Sequence, residues 1–165
     1  MAKIYEYEVH RRLHTFDEVR EAHLPFGKEL ADSRAVARMA EQIIGALDQE
    51  MLLVFHLNAK NKTKGFHHAT RGGLASCPAE PSQVFRAAVM AGAVGIVLCH
   101  NHPSGDPAPS ASDFQFTKRI AQAAPLLGIQ LLDHVVLGEP GIYYSMLDSG
   151  SMPASTLLDL PTGTP

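Results

Sequence analysis

Apolar residues in this chain recur with two periods, 3.6 and 2, and the switches between them divide it into elements. Asp32-Ser33 offers helix N-cap chemistry. Val36, Met39, Ala40, Ile43, Ile44 and Leu47 then repeat at helical spacing and predict a helix ending near Asp48. Met51-Leu52-Leu53-Val54-Phe55-His56-Leu57 predicts a central strand, turned by residues 58–62 into a hairpin partner over 63–69. Arg71-Gly72-Gly73 bends the chain into a weakly patterned stretch. Val84, Ala87, Ala88 and Ala91 mark a second helix whose contact face is mostly alanine. Val94-Gly95-Ile96-Val97-Leu98-Cys99 reads as a strand covered on both faces, stopping at His100. A third helix is expected over 110–124, with Phe114, Thr117, Ile120, Ala121 and Ala124 inward and Pro125 ending it. Residues 129–137 and 142–146 predict two more strands around a Gly138/Pro140/Gly141 turn.

Strands alternating with helices argue for an α/β layered domain, and the short β-turn-β pieces make a mixed sheet the expectation. Residues 3–10 suggest an edge strand, while 13–31 hold no clear period around a turn at Pro25-Phe26-Gly27. The expected division is an N-terminal extension (1–31), one folded domain (32–149) and a free tail (150–165) of Ser, Thr, Pro and Gly. A chain of 165 residues, 45% of them hydrophobic, suits a single core.

Charge and cysteine content narrow the function classes. A net charge of −3 supplies no electrostatic footprint for nucleic acid, and His10-Arg11-Arg12 is too short a basic run to change that. Two cysteines make no disulfide framework, and Cys99 reads as a small buried hydrophobe. The first residues turn charged at once, unlike a secretory signal. The longest apolar stretch, 87–99, falls short of the roughly 20 residues a membrane span needs. A soluble, cytoplasmic protein is expected.

The chemistry concentrates in His100-Asn101-His102-Pro103-Ser104-Gly105-Asp106-Pro107-Ala108-Pro109-Ser110-Ala111-Ser112-Asp113. In an extended segment His100 and His102 point to one side, and the loop can return Asp113 to the same point. Two imidazoles and a carboxylate suit Zn²⁺, one per chain, with a fourth position for water. Each piece has a plainer alternative: His100 and His102 as loop histidines, and Ser110-x-x-Asp113 as a capping box. Capping and ligation are compatible, because a helix start would hold Asp113 rigidly. The deaminase pattern of H-x-E with P-C-x-x-C is absent from the sequence. Adjacent His67 and His68 would face opposite sides of a strand, and both are expected to be solvent-exposed.

His-x-His, seven residues, Ser, two residues, Asp resembles the JAMM signature of the JAB/MPN metallopeptidases, and the fuller string resembles their RadC-like branch. The resemblance covers residues 32–148 and implies a mixed sheet flanked by helices, of the cytidine-deaminase-like kind. It also implies a zinc-dependent hydrolase of peptide or isopeptide bonds, with His100, His102 and Asp113 as metal ligands. Glu50, just before a strand, matches the family's general base, with Glu41 and Glu80 as weaker candidates. Ser110 matches the residue that steadies the oxyanion. Asp133-His134 matches a Leu-Asp-His segment, read either as a second shell behind a ligand imidazole or as a polar pair at a strand end. Nothing here resembles the helix-hairpin-helix module that often precedes this domain, so a stand-alone form is expected. Ala79-Glu80-Pro81-Ser82 replaces the family's His-Pro-Arg segment, leaving target recognition open. The substrate would be a peptide or protein of unspecified identity. A binding module keeping the fold, with DNA or a repair partner as ligand, is the alternative, and a zinc phosphoesterase or nuclease a third.

Overall fold

The computed structural model describes residues 32–71 and 80–154. The expectations for residues 1–31, the Gly72-Gly73 bend, Cys77 and the tail from 155 onward lie outside these. Within them the order is α1 (Ser33–Ile44), β1 (Met51–Leu57), β2 (Thr63–Arg71), α2 (Pro81–Met90), β3 (Gly95–Asn101), α3 (Ala111–Ala123), a 3₁₀ turn (Ala124–Leu127), β4 (Gln130–Leu137) and β5 (Tyr143–Ser145).

The strands form one mixed sheet in the order β2-β1-β3-β4-β5. Only β3 and β4 are parallel; the other neighbours run antiparallel. Period-2 alternation then sorts the core into two layers. Leu53, Phe55, Val97, Cys99 and Val135 pack beneath α1, whose Val36, Met39, Ala40 and Ile44 form its buried stripe. Leu52, Val54, Ile96 and Leu98 pack on the other face beneath Val84, Phe85 and Ala88 of α2 and Phe116 and Ile120 of α3. Cys99 is wholly buried, as its strand position predicts.

Local chemistry sets the boundaries. Asp32 caps α1 by accepting from the Ala35 amide at 2.7 Å. The helix stops at Ile44, short of the expected Asp48, with Gly45 as its C-cap and Leu47 packing from the following loop. α2 seats on Phe85 as well as on small residues, so its contact is larger than an alanine face. Val94 lies outside the strand and is exposed, while β3 continues through His100 and Asn101, two residues past the apolar run. In α3, Phe116 is buried and Phe114 only half-buried; the chain passes Pro125 in the 3₁₀ turn and ends it at Gly128. The first residues of the expected tail are tied to the body, the Ser151 amide donating to the Met146 carbonyl at 2.8 Å.

The second histidine region differs from expectation. His67 is half-buried, taking a hydrogen bond from His56 Nε2 on its Nδ1 at 2.9 Å and giving one from Nε2 to the Gln83 carbonyl at 2.9 Å. These bonds join β1, β2 and α2. Burial first, then the charges of His67 and Lys64, pull the His56 pKa down to about 4. His56 is therefore neutral when folded and protonated below about pH 6.5 when unfolded, so stability falls as pH drops from 6.5 towards 4. By pH 5 the His56 contribution to that loss is about 2 kcal/mol. Urea midpoints from pH 7.5 to 5 should fall less steeply in His56→Phe than in the unmutated protein; equal slopes would refute this assignment.

Candidate metal centre

β3 carries two of the side chains. Its even-numbered residues face α2 and α3, which puts His100 and, one step on, His102 on that side. The His102 amide still bonds the Leu137 carbonyl of β4 at 2.8 Å, so its backbone is held by the sheet. A tight turn follows, the Gly105 amide closing on the His102 carbonyl at 3.0 Å with Gly105 at φ 83°. The β4–β5 turn then docks on this loop through the Glu139 amide and the Gly105 carbonyl, 2.8 Å apart. A Cβ on Gly138 would sit 2.3 Å from that same oxygen, so the close approach requires glycine there.

α3 supplies the carboxylate. Ser110 is its N-cap, accepting from the Asp113 amide at 3.2 Å. Asp113 Oδ2 in return accepts from the Ser110 amide at 2.7 Å and the Ser110 hydroxyl at 2.6 Å. The capping reading is therefore correct, and it also aims the carboxylate at the histidines. His100 and His102 Nε2 are 2.9 Å apart; Asp113 Oδ1 lies 3.4 Å from the former and Oδ2 3.6 Å from the latter. A tetrahedral ion with bonds of about 2.1 Å spaces its ligands roughly 3.4 Å apart. Among the described residues, this is the set of three whose donor atoms gather closely enough to hold a metal ion.

The hydrogen bonds behind the set fix which nitrogen each imidazole presents. The Thr117 hydroxyl donates to the Asp113 carbonyl at 2.6 Å, spending its one proton. It must then accept from His134 Nδ1–H, 2.6 Å away. His134 Nε2 is thereby an acceptor and takes the proton of His100 Nδ1 at 2.8 Å. His102 Nδ1–H donates to the Asp106 carbonyl at 2.7 Å. Both Nε2 atoms thus present lone pairs to one point beside a carboxylate, an arrangement that calls for a cation.

Electrostatics agree. Burial drives the His134 pKa well below its usual value, with His100 adding to the shift, so the middle of the relay is neutral. Burial opposes the charge on Asp113, but the facing His100 and His102 imidazoles, each able to donate to it once protonated at Nε2, and then the Ser110 hydroxyl hold the carboxyl far below its normal range. The Asp113 hydrogen bond raises the His102 pKa, and Glu50 contributes to the rise.

The remaining sequence candidates sort themselves by position. Glu50 is half-buried and immediately precedes β1. Leu52 pairs with His100, so the same antiparallel register carried two residues back sets Glu50 across from His102. Glu41 accepts from the Gly141 amide at 2.7 Å, and Glu80 pairs with Arg119 at 2.9 Å, both engaged elsewhere. Asp133 and His134 separate: His134 stands behind His100, whereas Asp133 ties down the turn after β5 through Ser145 Oγ and the Leu147 amide. Sequence reasoning missed Thr117, taking it for an ordinary inward position. Its signal was a hydroxyl one turn after Asp113 on the same helix face. Asn101, which the sequence reading gave no chemical role, turns its buried side chain to the segment before β1.

Comparison with known proteins places these residues in a family context. The RadC-like JAB domain model matches residues 30–151. A UPF0758 protein of Enterococcus faecalis is 41% identical over 118 residues, covering 72% of this chain and 50% of that protein. One from Carboxydothermus hydrogenoformans is 46% identical over 96 residues (58% of this chain, 42% of that protein), and one from Porphyromonas gingivalis 37% over 127 residues (77% and 56%). The chain thus spans about half the length of these curated relatives, whose names state no activity. No described helix is long and apolar enough to cross a membrane.

The relay makes Thr117 testable. Thr117→Val keeps the shape but removes the acceptor for His134, freeing His100 to adopt the wrong tautomer. Chelator competition should show Zn²⁺ affinity weakened about 10- to 100-fold, with Thr117→Ser near the unmutated value. Equal affinity in Thr117→Val would exclude the relay as a tuning device.

Proposed function

Because the chain belongs to the RadC-like JAB domain family, we propose that it is a zinc-dependent hydrolase of peptide or isopeptide bonds. The observation that carries this reading is the convergence of two tautomer-fixed Nε2 lone pairs and the Asp113 carboxylate. His100, His102 and Asp113 would hold the ion, which when bound supplies Lewis-acid chemistry, acidifying water and polarising a carbonyl. The chain's own residues do the rest. Glu50, across from His102, takes the proton from the attacking water and passes it to the leaving amine nitrogen. Ser110, fixed at the start of α3, is the hydroxyl beside the ligand set that turns its proton from Asp113 Oδ2 to the developing oxyanion. His134 and Thr117 keep His100 in its ligating tautomer throughout.

Metal analysis of the purified protein is expected to find one zinc per chain, lost in His100→Ala/His102→Ala. Hydrolysis of quenched-fluorescence casein, and of a ubiquitin dimer as an isopeptide probe, should drop about 10²- to 10⁴-fold in Glu50→Gln with zinc retained. Zinc-free protein from zinc-replete cells, or equal rates in Glu50→Gln, would overturn the proposal.

A further inference from the structure

The side chain of Asn101 lies between the two metal-set histidines in sequence but points away from them. It is buried at the end of β3, and its three hydrogen bonds all reach one short stretch of chain. Asn101 Oδ1 accepts from the Met51 amide at 2.9 Å. Asn101 Nδ2 donates to the Gln49 carbonyl at 3.1 Å and to the Leu47 carbonyl at 3.3 Å. These partners flank Glu50 on both sides: the carbonyl of the residue before it and the amide of the residue after it.

Besides these bonds, Leu47 packs on the core and its amide bonds the Ile44 carbonyl at 3.2 Å. This stretch joins the end of α1 to the start of β1, has no regular secondary structure, and its exposed Asp48 and Gln49 contribute no core packing. A primary amide is well matched to the task, because one planar group supplies an acceptor and two donors. Aspartate keeps the shape but offers acceptors only, and leucine offers neither.

We propose that Asn101 is a positioning residue, clamping the backbone on both sides of Glu50 so that the carboxylate is fixed relative to the histidines on either side of Asn101. One strand end then sets both halves of the site: its even residues present imidazoles on one face, and its odd residue holds the proposed base from the other. The inference rests on the role of Glu50 proposed above.

The test uses the full chain loaded with zinc and quenched-fluorescence casein as substrate, with Asn101→Ala and Asn101→Asp beside Glu50→Gln. Turnover in Asn101→Ala should fall about 100-fold, the scale expected for a misplacement near 1 Å, with KM changed less than twofold and zinc content preserved. Asn101→Asp should be nearly as slow despite its matching shape. Asn101→Ala/Glu50→Gln should be no slower than Glu50→Gln alone, since a clamp acting through Glu50 has nothing left to position. Amide exchange over residues 46–52 should quicken at least tenfold in Asn101→Ala, with α2 and α3 unchanged; this readout needs no substrate. Unchanged exchange over 46–52, or rate losses that multiply in the double variant, would overturn the clamp. If the unmutated protein cleaves nothing while exchange quickens as expected, the hydrolase reading fails and the backbone clamp stands without its catalytic purpose.

Discussion

Pairing of β3 with an antiparallel strand on one side and a parallel strand on the other brings the parts of the candidate site to one edge of the sheet. The antiparallel partner β1 enters where β3 ends, so the segment before β1 is brought beside the metal-set histidines. The parallel partner β4 ends where β3 ends, and its His134 falls one layer behind His100. The outer connection through α3 returns Asp113 to the same edge. In open α/β sheets the carboxyl ends of parallel strands are where ligands gather, and here the single parallel pair supplies that edge. A slip of one residue in β3 would turn both imidazoles beneath α1 and Asn101 towards α3.

The α/β layering, the mixed sheet and the main strands were legible because strand alternation and helical repeat are strong along most of the folded part. The candidate metal triad was legible too, since His100 and His102 two apart in an extended segment share a side and the resemblance to the JAMM signature added Asp113. Boundaries were harder. β3 appeared to stop at Cys99 because His100 and Asn101 are polar, yet tertiary context buries both and keeps them in the ladder. Exposure of His67 was misjudged because its cover comes from His56 and from α2, elements distant along the chain. Thr117 and Asn101 looked unremarkable because their roles depend on partners that only the three-dimensional fold brings together. A linear pattern shows which face a side chain takes, and says little about whose hydrogen bonds it completes.

The buried polar groups tie stability to chemistry. His100, Asp113, Thr117 and His134 are all nearly inaccessible, in a layer otherwise made of Leu, Val, Ile, Phe and Ala. Such a network is tolerable only when its donors are satisfied, and the relay achieves this with every proton pointing in a defined direction. Among the described residues, the buried side-chain polar atom without a partner is Thr70 Oγ1, outside the relay. The same connectivity that avoids orphaned donors also leaves the two Nε2 lone pairs facing each other, so satisfaction of the core and readiness for a cation have one cause.

The capping box at the start of α3 has an electronic consequence. Asp113 lies in the first turn of the helix, where exposed amides carry partial positive charge, and its Oδ2 already accepts an amide and a hydroxyl proton. A carboxylate with so much of its density drawn towards nearby protons is a weak electron donor. An ion bound to it would be less neutralised than one bound to a free aspartate, and would pull harder on whatever oxygen approached from the open side.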